Sequence, residues 1–238
     1  MSIEAWILAF VITFAAALIQ GVVGVGFAMV SVPLLALIDP RLAPVPQLLI
    51  AIPMTMTMAW RERGHIELQR ITWIIVGRFP GAIIGVALLT VATQMTLDLA
   101  IATIVLIAVA IIGSGYVVAR NSYTEFGAGV LSGTTGLVAS IGGPPLALLY
   151  AGETGPVARS NLSMIFSIGL SIAVVARVLS GNIGWGDLRV AAVLFPALLV
   201  GYLLSGRLKD KLKPKQLRYA ILILSTIGAV GLIVRALV

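Results

Sequence analysis

The sequence contains the stretch Gln20-Gly-Val-Val-Gly-Val-Gly-Phe-Ala-Met-Val-Ser-Val-Pro33, and a similar stretch begins 112 residues later, Ser132-Gly-Thr-Thr-Gly-Leu-Val-Ala-Ser-Ile-Gly-Gly-Pro-Pro145. Aligned positions carry the same helix-breaking residues: Gly21 with Gly133, Gly24 with Gly136, and Pro33 with Pro145. Both stretches are otherwise apolar. Glycine and proline interrupt helices, and an interrupted helix in hydrocarbon leaves backbone N–H and C=O groups without partners. Each stretch therefore predicts a helix break that lines an enclosed or water-filled site.

The composition places the chain in a membrane. Of its 238 residues, 60% are hydrophobic and only 11% are charged, and the mean hydropathy is +1.10. Soluble domains carry roughly 25% charged residues, so this chain cannot cover a water-facing surface. Apolar runs that reach or approach the roughly 20 residues of a bilayer span lie at 43–60, 72–92, 97–117, 157–180, 188–205 and 219–238. The sequence predicts an all-α, polytopic, multi-pass protein in a cell membrane of the bacterial inner-membrane type.

Several classes of function are disfavoured by composition. The chain has no cysteine, which excludes disulfides, thiolate catalysis and cysteine-ligated metals. Its net charge of +7 comes from basic residues in short loops between spans, which is typical of membrane proteins, so no nucleic-acid partner is expected. No span contains His or Lys, as an intramembrane serine protease would need, and no His-Glu-x-x-His motif occurs. We expect no enzyme activity, no cofactor and no metal.

The repeat extends beyond the breaks and divides the chain into two halves. Phe79-Pro-Gly81 is similar to Phe195-Pro-Ala197, and Leu97-Asp-Leu-Ala-Ile101 is similar to Leu217-Arg-Tyr-Ala-Ile221. Residues 1–120 and 121–238 are therefore predicted to be duplicated units of one membrane domain. Each unit would consist of a broken, re-entrant helix pair followed by three membrane-spanning helices.

The distribution of basic residues favours an inverted repeat. If each broken segment returns to the side that it came from, 11 of the Lys and Arg residues outside spans share one face and 3 lie on the other. This bias is what the positive-inside rule prefers. The shared face would be cytoplasmic and carries Arg61, Arg63, Arg70, Arg120, Arg159, Arg207, Lys209, Lys211, Lys213, Lys215 and Arg218. The other face carries Arg41, Arg189 and Arg235.

The alternative is a parallel arrangement in which each half crosses four times. The same residues then split 6 to 8, which is no bias. A single helix over 5–38 would be about 51 Å long, far beyond a hydrocarbon core of about 30 Å. Residues 126–151 would be about 39 Å long and could cross once at a tilt. We therefore expect the inverted repeat, with the parallel four-plus-four arrangement as its rival.

The broken segments are the candidate binding site. Two helices are expected to begin anew, one after Gly26 and one after Gly143. Such a start presents unpaired N–H groups and the positive end of the helix dipole, which suits an anion. Glycines let a ligand approach the backbone, and hydroxyl or amide side chains add neutral donors at Gln20, Ser31, Ser132, Thr134, Thr135 and Ser140. The candidate substrate-binding residues are Gln20, Gly21, Gly24, Gly26, Phe27, Ser31, Gly133, Thr134, Thr135, Gly136, Ser140, Gly142 and Gly143. Close packing of small residues between helices is the competing interpretation.

Charged residues within spans are few. Arg78 lies inside the run 72–92, where it is either a counter-charge for the anion or a side chain that snorkels to the headgroups. Arg177 lies four residues before Gly181 and is predicted to be a snorkelling anchor. The carboxylates all fall at or near segment ends, which disfavours cation transport and a carboxylate proton relay.

The paired motifs resemble those of the TauE/SafE family of sulfite exporters, also called the toluene-sulfonate uptake permease family. The similarity rests on Leu18-Ile-Gln-Gly-Val-Val-Gly-Val-Gly-Phe-Ala-Met-Val-Ser-Val-Pro33, on Gly133-Thr-Thr-Gly-Leu-Val-Ala-Ser-Ile-Gly-Gly-Pro-Pro145 and on the basic loop Arg61-Glu-Arg-Gly-His-Ile66. Many members have an unbroken glycine run at the first motif, which valines interrupt here. The resemblance implies transport of sulfite, sulfonates or related sulfur-containing anions, as export or as uptake.

Together these features predict a secondary transporter of a small sulfur-containing oxyanion, such as sulfite, a sulfonate or sulfoacetate, that works by alternating access. A passive anion channel is the alternative. The expected partners are the small anionic substrate and the lipid bilayer. A coupling proton or ion is left open, and so is the oligomeric state.

Overall fold

The structure is a computed structural model that describes residues 1–115, 117–150, 152–153, 155–208, 211 and 214–237, without the side chains of Pro214 and Lys215. The predicted basic residues Lys209 and Lys213 lie outside these residues. Within the described parts the chain is helical, without strands. Its helices are α1 (Ile3–Val23), α2 (Phe27–Ile38), α3 (Val45–Arg61), α4 (Thr72–Thr90), α5 (Gln94–Ser114), α6 (Ser122–Ala139), α7 (Gly143–Leu149), α8 (Gly155–Leu179), α9 (Trp185–Leu208) and α10 (Pro214–Leu237).

The six predicted spans are confirmed, and α1, which was predicted to belong to a re-entrant pair, is a seventh helix long enough to span. In the described part of the chain, seven helical segments are long and apolar enough to cross a membrane: α1, α4, α5, α8, α9, most of α10, and α3 with the turn Pro40–Leu42 before it. By contrast, α2 has 12 residues and α7 has 7. At 1.5 Å per residue these two helices are about 18 Å and 10 Å long, too short to cross. The protein is a polytopic, multi-pass helical membrane protein.

The first break lies where the glycine motif predicts it. Helix α1 ends at Val23, and its C-cap Gly24 has φ +91°, in the left-handed region that glycine adopts without strain. Gly26 has φ +122°, and α2 begins at Phe27. With 21 residues, α1 is about 31 Å long. Helix α1 is therefore long enough to cross the hydrocarbon core. Of the two helices of the first hairpin, only α2 is too short to cross.

The second break lies where a helix start after Gly143 predicts it. Helix α6 ends at Ala139, its left-handed C-cap is Ser140 with φ +60°, and α7 restarts at Gly143. The structural counterpart of Gly24 is therefore Ser140, not Gly136, which lies inside α6. The predicted restart is therefore confirmed, whereas the pairing of Gly24 with Gly136 does not hold, because the left-handed position lies four residues, about one helical turn, after Gly136.

One end of the bundle gathers the arginine-rich helix ends and is here called the basic face. It carries Arg61, Arg63, Arg70, Arg120, Arg159, Arg207 and Arg218 at the ends of α3 and α9, in the loop before α4, and at the starts of α6, α8 and α10. Arg70 and Arg120 tie the starts of α4 and α6 to Glu153, which follows α7. Arg218 joins α10 to the end of α5 by donating to the carbonyl of Ile112.

The opposite end of the bundle is held by different contacts. Arg235, near the end of α10, donates to the carbonyls of Ala36 and Leu37 and pairs with Asp98 at the start of α5. The hydroxyl of Ser140 donates to the carbonyl of Pro44 at 2.9 Å, which places the end of α6 beside the start of α3. Helix α2 therefore ends, and α3 begins, on the side of the bundle away from the basic face.

The closest helix pairs join the two halves of the chain. Helix α4 runs parallel to α6, and a Cβ added to Gly77, Gly81 or Gly129 would lie 2.2–2.3 Å from a carbonyl oxygen of the facing helix. Helix α1 runs parallel to α9, with Gly201 against Phe14. Small residues let membrane helices approach this closely. Each half therefore packs its first helix against the other half.

Candidate functional site

Both breaks face a single small cavity inside the bundle, here called the inner cavity, with a volume of about 50 Å³. It lies between the restarts of α2 and α7 and is closed by α3, α4, α6 and α8. The predicted residues that line it are Gln20, Gly26, Phe27, Arg78, Gly133, Gly136, Ser140, Gly142 and Gly143. The structure thus brings together residues that are more than 100 positions apart in the sequence.

Other predicted site residues lie outside this lining. Gly21 packs against α9, where an added Cβ would collide with Ser205. Gly24 faces Arg159 on the side of the basic face. Ser31 is fully buried in α2, and its hydroxyl has no hydrogen-bond partner among the described residues. These positions shape the first hairpin and do not face the inner cavity.

The two predicted threonines are also absent from the cavity lining. The hydroxyl of Thr134 donates to the carbonyls of Gly81 and Val130, so it serves the contact between α4 and α6. The hydroxyl of Thr135 donates at 2.9 Å to the carbonyl of Leu131, one turn earlier in its own helix. Such back-bonding is the usual way for threonine to satisfy its hydroxyl in a membrane helix.

The first break is stabilised by a side chain of its own hairpin. The side-chain oxygen of Gln20 accepts a hydrogen bond from the backbone N–H of Phe27 at 2.8 Å. Gln20 is 5% exposed, and Phe27 is the first residue of α2. The amide thus satisfies one of the N–H groups that a new helix leaves open. The remaining N–H groups of that first turn are near the cavity because Phe27, Ala28 and Met29 line it.

The second break is stabilised by a serine that also contacts a cation. The hydroxyl of Ser132 donates to the carbonyl of Gly142 and accepts from the Arg78 guanidinium at 2.6 Å. Ser132 is completely buried. Through this serine the second break is coupled to helix α4.

Arg78 is the charged residue of the inner cavity. Its side chain is 3% exposed, its Nε has no hydrogen-bond partner, and it pairs with no carboxylate among the described residues. The guanidinium lies 5.9 Å from the ring centre of Phe166. Of the two alternatives for Arg78, snorkelling does not fit the structure, because the side chain is buried and lines the inner cavity.

Space for this guanidinium comes from a glycine on α8. A Cβ added to Gly169 would lie 1.3 Å from Nη1 of Arg78 and 2.2 Å from its Cζ, so no larger residue fits beside the extended arginine. Gly169 was not among the predicted site residues, and neither were Phe166 and Thr55, which line the same cavity. A lone glycine in the interior of a long helix was the available signal, because such glycines usually have a packing or functional reason.

Arg177 also departs from its prediction. It is 4% exposed and donates to the carbonyls of Leu137 at 2.6 Å and Val138 at 3.1 Å, in the last turn of α6. The last carbonyls of a helix have no intrahelical partner and carry its negative dipole end. Arg177 is therefore a C-terminal cap for α6 next to the second break, and not a snorkelling anchor.

The arrangement can bind a small anion with one fixed cation, the N–H groups at the start of α2 and neutral hydrogen-bonding groups. The start of α7 adds few donors, because Pro144 and Pro145 have no backbone N–H. Within the described residues no cluster of His, Cys, Asp or Glu is arranged to hold a metal ion. A buried cation without a carboxylate partner is costly, because an opposite charge and hydrogen bonds must replace the lost hydration, and Ser132 supplies only one hydrogen bond. The unpaired guanidinium thus favours an anionic ligand.

Comparison with known proteins identifies the family. The family described as "Sulfite exporter TauE/SafE" matches residues 9–232, which covers both halves and the whole inner cavity. No curated protein and no solved structure matched the chain. The chain belongs to the TauE/SafE sulfite exporter family, a family of membrane transporters.

Proposed function

We propose that this protein is a secondary transporter of a small sulfur-containing oxyanion, such as sulfite or a short sulfonate, bound in the inner cavity. The observation that carries the proposal is the buried, unpaired guanidinium of Arg78 between two helix breaks. An anion in this place supplies the missing counter-charge, and backbone N–H groups at the start of α2 add neutral donors.

The size of the inner cavity supports a substrate of a few heavy atoms. A cavity of about 50 Å³ holds roughly three to five water-sized groups, at about 10–15 Å³ each. Sulfite has four heavy atoms, and the head group of a sulfonate is similar. Longer organosulfonates fit only if the cavity widens during transport.

We further propose that residues 1–120 and 121–238 form an inverted repeat. Helix α1 is parallel to α9, and its counterpart α6 is parallel to α4. Helices α4 and α8 begin on the same face, where the N–H of Glu67 donates to Asn161. Helix α9 follows α8 and returns across the bundle, so α9 runs opposite to α4. Equivalent helices of the two halves therefore point opposite ways. Inverted repeats around a central site are a common basis of alternating access.

Reconstitution tests the function. Purified protein in liposomes should take up radiolabelled sulfite with saturation, and preloading with unlabelled sulfite should stimulate uptake by counterflow. The matched pair is Arg78→Leu, which should lose uptake, and Arg207→Leu, which removes an exposed charge and should keep it. Uptake that rises linearly with concentration and shows no counterflow would indicate the anion channel instead. Absence of flux for sulfite and methanesulfonate would refute the proposal.

The inverted topology has its own test, because the chain has no cysteine. Single cysteines at Gly64 and Arg207 should react with a membrane-impermeant thiol reagent from the same side, and a cysteine at Arg41 from the other side. The positive-inside rule assigns the first two to the cytoplasm. Labelling of Gly64→Cys and Arg207→Cys from opposite sides would favour the parallel arrangement.

A further inference from the structure

A second cavity lies next to the inner one and is here called the neighbouring cavity. Its volume is about 440 Å³, and Val25 and Met29 line both cavities. Its lining also includes the apolar side chains of Val22, Val23 and Leu162. Because the inner cavity holds only about 50 Å³, the side chains between the two cavities limit the length of a solute bound in the inner one.

Val25 closes the inner cavity from the first break. It lies between Gly24 with φ +91° and Gly26 with φ +122°, so the backbone is in the region that favours glycine on both sides of the valine. A Cβ added to Gly143 would lie 3.0 Å from Cγ2 of Val25. The valine of the first break therefore packs directly against the start of α7 in the second break.

Phe166 of α8 reaches the same place from the other side. Its Cζ atom would be the next neighbour of a Cβ added to Gly143, at 3.8 Å. Leu162, about one turn earlier in α8, lines the neighbouring cavity, whereas Phe166 and Leu170 line the inner cavity. The aromatic ring thus lies where this face of α8 passes from one cavity to the other, and it meets Val25 over Gly143.

This wall is close to the cation that would hold the anion. A Cβ added to Gly142 would lie 3.2 Å from Nη2 of Arg78, and the next residue, Gly143, contacts Val25 and Phe166. The ring centre of Phe166 is also only 5.9 Å from Cζ of the guanidinium. Consecutive Cα atoms are about 3.8 Å apart. An oxyanion head group on Arg78 therefore leaves little length for an organic tail before the tail meets the wall.

We propose that Val25 and Phe166 form a length filter, which accepts sulfite and one-carbon sulfonates and excludes sulfonates with longer alkyl tails. The inference rests on the proposed function, because it concerns which sulfur oxyanions bind beside Arg78. A smaller side chain at either position joins the inner cavity to the apolar part of the neighbouring cavity, which has room for a tail.

Competition with radiolabelled sulfite uptake in liposomes tests the filter. In wild type, butanesulfonate should inhibit uptake at least about tenfold more weakly than methanesulfonate, because its extra methylenes do not fit. In Val25→Ala, butanesulfonate should inhibit at least as strongly as methanesulfonate, since each buried methylene strengthens binding about fourfold. Val23→Ala should keep the wild-type ratio of the two inhibitors. It is the matched control because Val23 lines the neighbouring cavity and, among the described residues, does not belong to the lining of the inner cavity.

A second variant covers the case in which Val25→Ala does not fold. Phe166→Leu keeps an apolar side chain but shortens it, and it should improve inhibition by butanesulfonate, relative to methanesulfonate, about tenfold. Phe79→Leu, at an exposed phenylalanine of α4, should keep the wild-type ratio.

Two outcomes would overturn the filter. One is a wild-type ratio in folded Val25→Ala or Phe166→Leu, and the other is equal inhibition of wild type by both sulfonates. In either case the site at Arg78 can still bind sulfite. If wild type shows no saturable sulfite uptake, the proposed function itself fails.

Discussion

The two helix breaks share a backbone shape but differ in chemistry. In the first, Gln20 of the same hairpin caps the N–H of Phe27, and no charged group takes part. In the second, Ser132 binds the carbonyl of Gly142 and receives a hydrogen bond from Arg78 of another helix. Both breaks therefore have a left-handed residue where the first helix ends, whereas a charged side chain contacts only the second break.

This asymmetry assigns different tasks to the two breaks. In the proposed repeat, the counterpart of Arg78 is Leu194, which is buried and apolar. In the proposed transport cycle, the single cation attracts the anion and the uncharged first break allows the anion to leave. A fully charged site on both sides would hold the anion more tightly than transport allows. The following changes test this division from the largest expected effect to the smallest.

Replacing the cation by its repeat counterpart, Arg78→Leu, makes the two sides equal in charge. Loss of a preorganised charged donor should lower the initial rate of sulfite uptake by about a hundredfold or more. Thermal unfolding in detergent should occur at an equal or higher temperature, because the cost of burying an unpaired charge disappears. A variant that is unstable but transports at the wild-type rate would show a purely structural role for Arg78.

Filling the space beside the cation, Gly169→Ala, tests whether its position matters. The added Cβ would lie 1.3 Å from Nη1 of Arg78, so the guanidinium must leave the cavity, and uptake should fall by roughly ten- to a hundredfold. Gly127→Ala on α6, where an added Cβ meets nothing within 4 Å, is the matched control. In the double variant with Arg78→Leu the alanine should add no further loss, since the collision partner is gone.

Removing each cap separately distinguishes the two breaks directly. Gln20→Leu leaves the N–H of Phe27 without its acceptor and should lower the free energy of unfolding by about 1–3 kcal/mol. Ser132→Ala should instead raise the half-saturating sulfite concentration, because the guanidinium loses its hydrogen-bond acceptor. Denaturant unfolding and uptake kinetics on both variants measure the two effects. If each variant changed the free energy of unfolding and the half-saturating sulfite concentration to the same extent, the two breaks would not have different tasks.

The left-handed caps offer a finer comparison. Gly24→Ala places a Cβ at φ +91° and should cost about 1–2 kcal/mol of unfolding free energy. Ser140→Gly relieves a similar strain but loses the bond to the carbonyl of Pro44, so the net change should be within about 1 kcal/mol of zero. Denaturant unfolding checks both. A large cost for Ser140→Gly would mean that the bond to α3 outweighs the backbone conformation.

The smallest effect is expected for Thr135→Val. The threonine hydroxyl donates to the carbonyl of Leu131 and does not line the inner cavity. Uptake kinetics and the unfolding temperature should both match wild type. A clear loss of uptake would mean that the second break extends further toward α6 than the structure indicates.

The parts that the sequence predicted correctly are those encoded locally. Apolar length specifies the long helices, and the glycines at 24 and 26 mark the first break because only their backbone accepts those φ values. The second restart at Gly143 was also predicted, but the left-handed residue before it was not, since a serine, and not a glycine, takes that position. A short polar residue can adopt the left-handed conformation at some cost in energy. Its position is therefore not marked by a glycine in the sequence.

The rest of the candidate site depends on contacts between remote segments. Gly169, Phe166 and Thr55 are ordinary residues in their own helices, and only the packing of α3 and α8 against the breaks brings them to the cavity. Arg177 was misread for the same reason: the carbonyls that it caps belong to α6, 40 positions earlier. The sequence of a membrane helix indicates the length of that helix and which side of it is polar, but it does not indicate which other helix will end beside it.

The pairing of α1 with α9 also has a consequence for biosynthesis. Translation adds about 5–20 residues per second, so α9 leaves the ribosome roughly 10–40 s after α1. During this interval the face of α1 that carries Gly21 has no protein neighbour, and nearby Gln20 has no completed hairpin around it. The order in which the helices are inserted therefore differs from the order in which they pack. Until α9 is inserted, lipid or the insertion machinery must cover the surface of α1 that α9 will contact.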